Sequence, residues 1–183
     1  TNAVGNEVLT TFSGKFSQST NVPNIMVEAM YNEARSQGFT LDFAMANTGR
    51  AAIPSGEVTY SSLFNAVPFD NEVMIISCKG EDLIHEAKYN SVYRGIPGKV
   101  DCNKTYTIAV LDYLATHRNS SRDYDYFPSM QLIGSLKRDG EIFNYRDTLA
   151  KHLKTKASWA PSTYEQSNPR FNNYLTSAVT FND

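Results

Sequence analysis

The sequence predicts an α+β domain in which several helices pack on a mixed β-sheet. The chain has 183 residues, the length of one ordinary domain, and 41% of them are hydrophobic against 20% charged. Segments with helical and with strand periodicity alternate at irregular spacing and without an internal repeat, which favours a mixed sheet over a doubly wound parallel one. We therefore expect a single domain over residues 1–183, with an irregular tail from about residue 157.

Three segments have the apolar spacing of amphipathic helices. The first covers residues 19–38, where Pro23 suits the opening turn and Gly38 ends the helix. The second covers residues 81–89 and begins with acidic side chains, which the helix dipole favours at that end. The third covers residues 145–156 and carries its leucines at helical spacing. These helices supply the apolar faces that we expect to cover the sheet.

Short apolar segments between these helices predict strands. Residues 41–46, 72–77 and 104–115 are rich in apolar and β-branched side chains, which is typical of buried strands. Residues 58–66 predict a short helix or turn, and residues 135–142 predict a hairpin around an Arg-Asp-Gly turn.

Charge and hydropathy exclude two classes of partner. Lysine and arginine total 17 against 19 for aspartate and glutamate, a net charge of −2, so the basic surface that a nucleic-acid polymer requires is not predicted. No apolar run approaches the roughly 20 residues that span a bilayer, so we expect no membrane span. The two cysteines, Cys78 and Cys102, fit no metal-ligand spacing and could form at most one disulfide.

The sequence contains no complete catalytic motif. Its three histidines, His85, His117 and His152, show none of the close pairings with His, Asp or Glu that build a metal site. It also lacks a nucleophile elbow, a phosphate-binding glycine loop and a dinucleotide fingerprint. We therefore predict no catalytic residue and no metal site in this chain.

Candidate binding residues lie where the predicted strands end. Arg50 follows the strand over 41–46, Phe69 lies just before the next strand, and Tyr113 lies shortly before the polar segment 117–128, which predicts an exposed loop. Two aromatic rings and a guanidinium can hold a flat ligand, because the rings stack on it and the guanidinium supplies fixed donors. The alternative is that the rings belong to the core and the arginine is a solvated surface charge.

Longer motifs surround these residues. They are DFAMANTGRAAIPSGEVTY at 42–60, VPFDNEV at 67–73 and KGEDL at 79–83. In order and spacing they resemble the C-terminal domain of the 5'-nucleotidase family, and the likeness covers most of residues 14–127. The resemblance implies the fold of that domain, with its mixed sheet and packed helices.

The resemblance also implies a function divided between two domains. In that family a two-metal phosphoesterase centre lies in a separate N-terminal domain, and the C-terminal domain supplies the nucleoside-binding pocket. This chain resembles the second part alone. The implied partners are therefore a nucleoside or nucleotide and an N-terminal metallophosphoesterase domain, on the same or a separate chain, which would hold the divalent metal ions. The chain alone is expected to be inactive as a hydrolase, and its implied location is extracellular, periplasmic or at the cell surface.

Position by position, the resemblance assigns roles to the candidate residues. Arg50 matches the arginine that ends the family's Gly-Gly-Ile-Arg motif and contacts substrate. Phe69 matches one stacking aromatic, and Tyr113 takes the place of the other, which is usually Phe. The family's Gly-Gly-Asp-Gly loop after the second aromatic is replaced here, and either Asn119 or Asp123 could stand in for its ribose-binding aspartate.

Two departures from the family pattern leave other functions open. The lost glycine loop implies a different loop path, because glycine alone adopts some backbone conformations easily. The family's arginine ahead of the first helix is also missing, and only Lys15 supplies a cation there. The alternatives are a non-catalytic interaction or scaffold domain and a binding module for sugars or other small ligands.

Overall fold

The computed structural model describes residues 5–87, 89–93, 100–119 and 124–165. Its helices are α1 (Asn21–Ser36), α2 (Tyr60–Ala66), α3 (Gly80–Ala87), α4 (Asp112–Thr116) and α5 (Tyr145–Leu153), followed by a 3₁₀ helix (Pro161–Tyr164). Its strands are β1 (Val8–Phe12), β2 (Phe43–Ala46), β3 (Gly56–Thr59), β4 (Val73–Lys79), β5 (Ser91–Tyr93), β6 (Thr105–Leu111), β7 (Arg118–Asn119), β8 (Tyr124–Asp125), β9 (Gln131–Ser135), β10 (Lys137–Arg138), β11 (Glu141–Ile142) and β12 (Ser158–Trp159).

Five strands form the central sheet, in the order β5-β2-β6-β4-β9. Strands β2 and β6 run parallel, with Ala44 opposite Ala109, and the other neighbouring pairs are antiparallel. The sheet is therefore mixed, and the predicted α+β class with helices packed on a mixed sheet is confirmed. The strands predicted at 41–46 and 72–77 correspond to β2 and β4.

The two faces of the central sheet carry side chains of different size. Alternation along β2 and β6 turns Ala44, Ala46 and Ala109 toward the core that contains α1. The larger Phe43 and Met45 point into the opposite core, which contains α3. Because the alanine side chains are small, the long helix α1 can lie close to the middle of the sheet.

Helix α1 confirms the helix predicted for residues 19–38. Its apolar side chains, such as Ile25 and Met30, are fully buried between the sheet and α5. Gly38 follows the helix with φ 97°, the left-handed conformation in which glycine commonly ends helices. The helices predicted at 81–89 and 145–156 are α3 and α5.

Three strands that the sequence analysis did not predict form a second sheet, in the order β12-β1-β3. Strand β1 pairs parallel with β12 and antiparallel with β3. The structure therefore differs from the expected irregular tail, because residues 158–164 contain a strand and a 3₁₀ helix. Trp159 is buried there, and its indole Nε1 donates a hydrogen bond to the Leu153 carbonyl at 3.1 Å. Strand β12 has only two residues, and β1 (VLTTF) and β3 (GEVT) are partly polar, so none of them shows the apolar pattern of a buried strand.

The chain after β6 also differs from the prediction. One strand was expected over 104–115, but β6 ends at Leu111 and a short helix, α4, follows directly. The Asp112 amide donates to the Glu72 carbonyl at 2.9 Å, which ties this turn to the start of β4. The segment predicted as an exposed loop at 117–128 contains the short strands β7 and β8, and its Phe127 is buried.

Two predicted turns are found where the sequence places them. The segment 58–66 contains α2, which Thr59 begins by accepting a hydrogen bond from the Ser62 amide in a capping box. The predicted hairpin is formed by β10 and β11. Its turn residues Asp139 and Gly140 both have positive φ, as a tight two-residue hairpin requires. The edge strand β9 just before this hairpin was not predicted.

A polar cluster around Glu28 holds the 3₁₀ helix against α1. The Glu28 carboxylate accepts hydrogen bonds from the Tyr164 hydroxyl and from His152 Nε2, the latter at 2.9 Å. Burial alone would raise the pKa of Glu28, but the hydrogen bonds from His152 and Tyr164 outweigh it and hold the pKa below its usual value of 4.5. The charged form of Glu28 therefore stabilises the folded state.

We predict that Glu28→Gln lowers the melting temperature at about pH 6 and that its difference from wild type shrinks as the pH falls below the usual Glu28 pKa of 4.5. The sign follows because a lowered folded-state pKa gives stability that is present above the unfolded pKa and lost on protonation. Thermal unfolding monitored by circular dichroism across this range is the measurement. The control is Glu57→Gln, at an exposed position of β3. A difference that grows toward acid pH would contradict the assignment.

Candidate functional site

A cavity of about 430 Å³ opens where β2 and β6 end and α1 begins. Its volume is in the range of small-molecule binding sites. Apolar side chains such as Val22, Met26 and Leu111 form part of its wall. Its polar wall residues are Asn47, Thr48, Arg50, Asn71, Tyr113 and Tyr145. Arg50 is the one charged residue among the described residues that line the cavity.

The structure brings Arg50, Phe69 and Tyr113 to this same cavity. Phe69 is 50% exposed and Tyr113 is 40% exposed, so neither ring is part of the core. The Arg50 guanidinium carbon lies 5.2 Å from the centre of the Phe69 ring, within the range of a cation–π contact. The Tyr113 ring packs against His117 with ring centres 4.4 Å apart. The three side chains therefore offer a guanidinium and two accessible aromatic surfaces to one space.

The other candidate residues are not placed at the cavity. Asn119 lies in β7, where the structure describes the backbone and not the side chain. Asp123 lies outside the described residues. Lys15 is described, and it is not among the residues that line this cavity. The roles of Asn119 and Asp123 therefore stay predictions.

The loop that carries Arg50 is fixed by a close approach at Gly49. The Gly49 amide donates to the Gln18 carbonyl at 3.0 Å, and the Arg50 amide donates to the Ala66 carbonyl at 2.9 Å. A Cβ atom on Gly49 would lie 2.9 Å from Cγ1 of Val22 and 3.3 Å from the Ala66 carbonyl oxygen. Glycine is required here because the strand end packs directly on the start of α1.

Tyr145 contributes a hydroxyl group that the sequence analysis did not identify. Its side chain lines the cavity, is buried, and accepts a hydrogen bond from the Phe69 amide at 3.3 Å. Burial raises the pKa of this hydroxyl, against the opposite effect of the Phe69 amide and the charges of Arg146 and Arg50. The phenol is therefore neutral. Its hydrogen meets no acceptor among the described residues, so it can be donated to a ligand.

Asn71 offers a second hydrogen-bonding group on the cavity wall. Its side-chain nitrogen donates to Oδ1 of Asp112 at 2.7 Å, which fixes the orientation of the amide. Asn71 lies in the VPFDNEV motif, but the sequence analysis assigned it no role. A pocket that binds a small molecule specifically needs a few polar groups in fixed positions.

The described residues contain no group of three or more His, Cys, Asp or Glu side chains that could hold a metal ion.

Cys78 is buried and forms no disulfide. Burial raises the pKa of its thiol to about 12, and the negative charges of Asp82 and Asp42 contribute to this rise. Among the helices of the described part, none has the length and apolar content that crossing a bilayer needs.

Residues 4–87 match the family described as 5'-nucleotidase, C-terminal domain. A 5'-nucleotidase precursor from Thermus thermophilus is similar in structure, with 16% identity and a TM-score of 0.67 over 86% of this chain and 38% of that one. An NAD nucleotidase from Haemophilus influenzae has 14% identity and a TM-score of 0.59 over 91% of this chain and 38% of that one.

A third structure of the same fold is that of a protein with a different activity. The sulfate thiohydrolase of Thermus thermophilus, in complex with glycerol, has 12% identity and a TM-score of 0.58 over 92% of this chain and 35% of that one. At such identities the likeness shows the fold alone, and the chain spans less than two fifths of each of these three proteins. Curated proteins gave no significant sequence match.

The sheet order, the packed helices and the family match define the class as the α+β domain found in nucleotidases. Residues 4–87 match the C-terminal domain of 5'-nucleotidases and the fold is the one that such proteins share, so the resemblance expected from the sequence is confirmed.

We predict that Gly49→Ala destabilises the domain by about 1–3 kcal/mol, because the added methyl group overpacks the contact with Val22. Equilibrium urea unfolding measures the effect. In the double variant with Val22→Ala, removal of the Cγ atoms makes room for the new methyl group, so the loss is smaller than the sum of the two single losses. Wild-type stability in Gly49→Ala, or strictly additive losses, would contradict the close approach.

Proposed function

We propose that this domain binds the base and sugar of a nucleoside or nucleotide in the cavity at Arg50, Phe69 and Tyr113. The observation that carries the proposal is that these three residues, each assigned a family position by the resemblance, line one cavity with both rings accessible. A nucleobase is a flat ring with hydrogen-bonding edges, and both features have a counterpart on the cavity wall.

The chemistry of the wall supports a ligand that is largely uncharged inside the cavity. Arg50 supplies the single charge among the described wall residues. Next to it, apolar side chains from the start of α1 line the cavity. Tyr145 can donate one hydrogen bond, and the Asn71 side chain can accept one. A phosphate group is better placed outside the cavity, in water or on another domain, because one cation among apolar neighbours does not compensate several negative charges.

We further propose that the bound ligand is presented to a two-metal phosphoesterase centre in an N-terminal domain, on the same or a separate chain. The proposal is supported by the family match, and by the similar nucleotidases, which are more than twice as long as this chain. The divalent metal ions would lie in that domain. By the same resemblance we propose a location in the periplasm, outside the cell or at its surface, which fractionation of cells that express the natural protein would test.

We predict that Phe69→Ala and Tyr113→Ala each weaken adenosine binding by about 5-fold to 150-fold, because stacking contributes about 1–3 kcal/mol per base. Isothermal titration calorimetry of the chain with adenosine is the measurement. The matched control is Tyr89→Ala, since Tyr89 is an aromatic residue with 54% exposure that does not line the cavity.

The same titration separates the alternative functions. Binding of simple sugars in place of adenosine would support a sugar-binding module. No binding of either class would support the scaffold domain, and equal losses in the control and in the two cavity variants would contradict the stacking role. Two features favour the scaffold alternative: the family's glycine loop is replaced in this sequence, and the arginine ahead of the first helix is missing.

We predict that the chain alone does not hydrolyse nucleoside monophosphates in the presence of Mn²⁺ or Zn²⁺. The reason is that the residues that activate a metal-bound water are assigned to the other domain. Release of inorganic phosphate is the measurement, and an Arg50→Ala preparation made in parallel reports contamination. Turnover in the wild-type chain that disappears in a variant of this chain would contradict the assignment of catalysis to the other domain.

A further inference from the structure

A buried arginine lies directly behind the loop that carries Phe69. Arg146 belongs to the first turn of α5, is 4% exposed, and does not itself line the cavity. Its Nη1 donates to the carbonyl oxygens of Val67 and Phe69, at 3.1 Å and 2.8 Å. Its Nη2 donates to Oδ1 of Asp70 at 2.7 Å. One guanidinium therefore binds three residues of the segment 67–70.

Two aromatic side chains also contact the same guanidinium. Its central carbon lies 3.9 Å from the centre of the Phe64 ring and 5.8 Å from that of Tyr60, and Nε donates to the Tyr60 hydroxyl at 3.3 Å. The Tyr60 hydroxyl in turn donates to Asp147. A planar, delocalised cation suits this setting, and a lysine ammonium could not satisfy two carbonyls and stack on a ring at once.

The main chain of Phe69 is held at both of its polar groups. Its amide donates to the Tyr145 hydroxyl, and its carbonyl accepts from Arg146. The two partners are consecutive residues of one helical turn. That turn is fixed in place because the Tyr145 amide donates to the Asn71 carbonyl at 2.9 Å and Asn144 caps the helix.

The hydrogen bonds from Arg146 to the carbonyls of Val67 and Phe69 contribute more to holding this segment than the ion pair with Asp70 does. Asp70 is 81% exposed, so its charge interaction with Arg146 is weakened by water. The Phe69 side chain is half exposed, and Arg50 lies over its ring. The position of the ring in the cavity therefore depends on the main chain of the segment 67–70, which the first turn of α5 holds.

We propose that Arg146 is a positioning residue for ligand binding, which sets affinity by holding the backbone of Phe69 and does not touch the ligand. This inference rests on the proposed function, in which Phe69 stacks on a nucleobase. It assigns the first turn of α5 as the support of the stacking surface, a role outside the motifs on which the family resemblance was based.

The test compares Arg146→Lys and Arg146→Gln with Phe69→Ala in adenosine titrations of the full chain. Each Arg146 variant is expected to weaken binding by roughly fivefold or more, and by no more than Phe69→Ala does. In the Phe69→Ala background the Arg146 variants are expected to have no further effect, because their effect passes through that ring. Equal fold-losses in both backgrounds would overturn the proposal. Arg138→Gln is the matched control, since Arg138 is an exposed arginine that packs over Phe143.

A second measurement needs no ligand. Hydrogen exchange at the Phe69 amide is expected to accelerate in Arg146→Lys, while amides in β6 keep their wild-type rates. Unchanged exchange at Phe69 would overturn the proposal, and faster exchange throughout β6 would show a general loss of stability and overturn it as well. If the wild-type chain does not bind adenosine, the proposed function fails, and the exchange rates alone decide whether Arg146 holds this segment.

Discussion

The close packing of α1 on the central sheet is the constraint on which the rest of the structure depends. Alanine side chains at 44, 46 and 109 and the missing side chain of Gly49 let the helix and two strand ends approach each other. The loops after β2 and β6 therefore meet at the beginning of α1. The cavity lies at this meeting point, and its wall combines residues from the helix, from both strand ends and from the segment 67–71.

Apolar patterning predicted the helices and the most apolar strands, and it did not predict the strands that are very short or partly polar. Helix α1 and strands β2 and β4 have apolar patterns that their own residues determine, so the sequence was sufficient. Strand β12 has two residues, and it forms because β1 is beside it. Arg50, Phe69 and Tyr113 could be selected because each lies near the end of a predicted strand and the family resemblance assigns each a position. Tyr145 could not, because its role depends on how α5 docks on the loop. One local feature pointed to this docking: Arg146 is a charged residue on the buried, otherwise mostly apolar face of α5.

The fold does not determine what the cavity holds. The same architecture occurs in nucleotidases and in a sulfate thiohydrolase, so the ligand must be argued from the wall residues themselves. Here those residues include two accessible rings, one guanidinium and two polar groups with fixed partners.

The most direct test of the stacking site is an NMR measurement of intermolecular contacts between adenosine and the labelled chain. The account predicts nuclear Overhauser effects from the adenine H2 and H8 protons to the ring protons of both Phe69 and Tyr113, with upfield ring-current shifts of the adenine signals. These contacts require the base to lie between the two rings. Saturable binding with contacts to neither ring would contradict the account, even if the affinity were high.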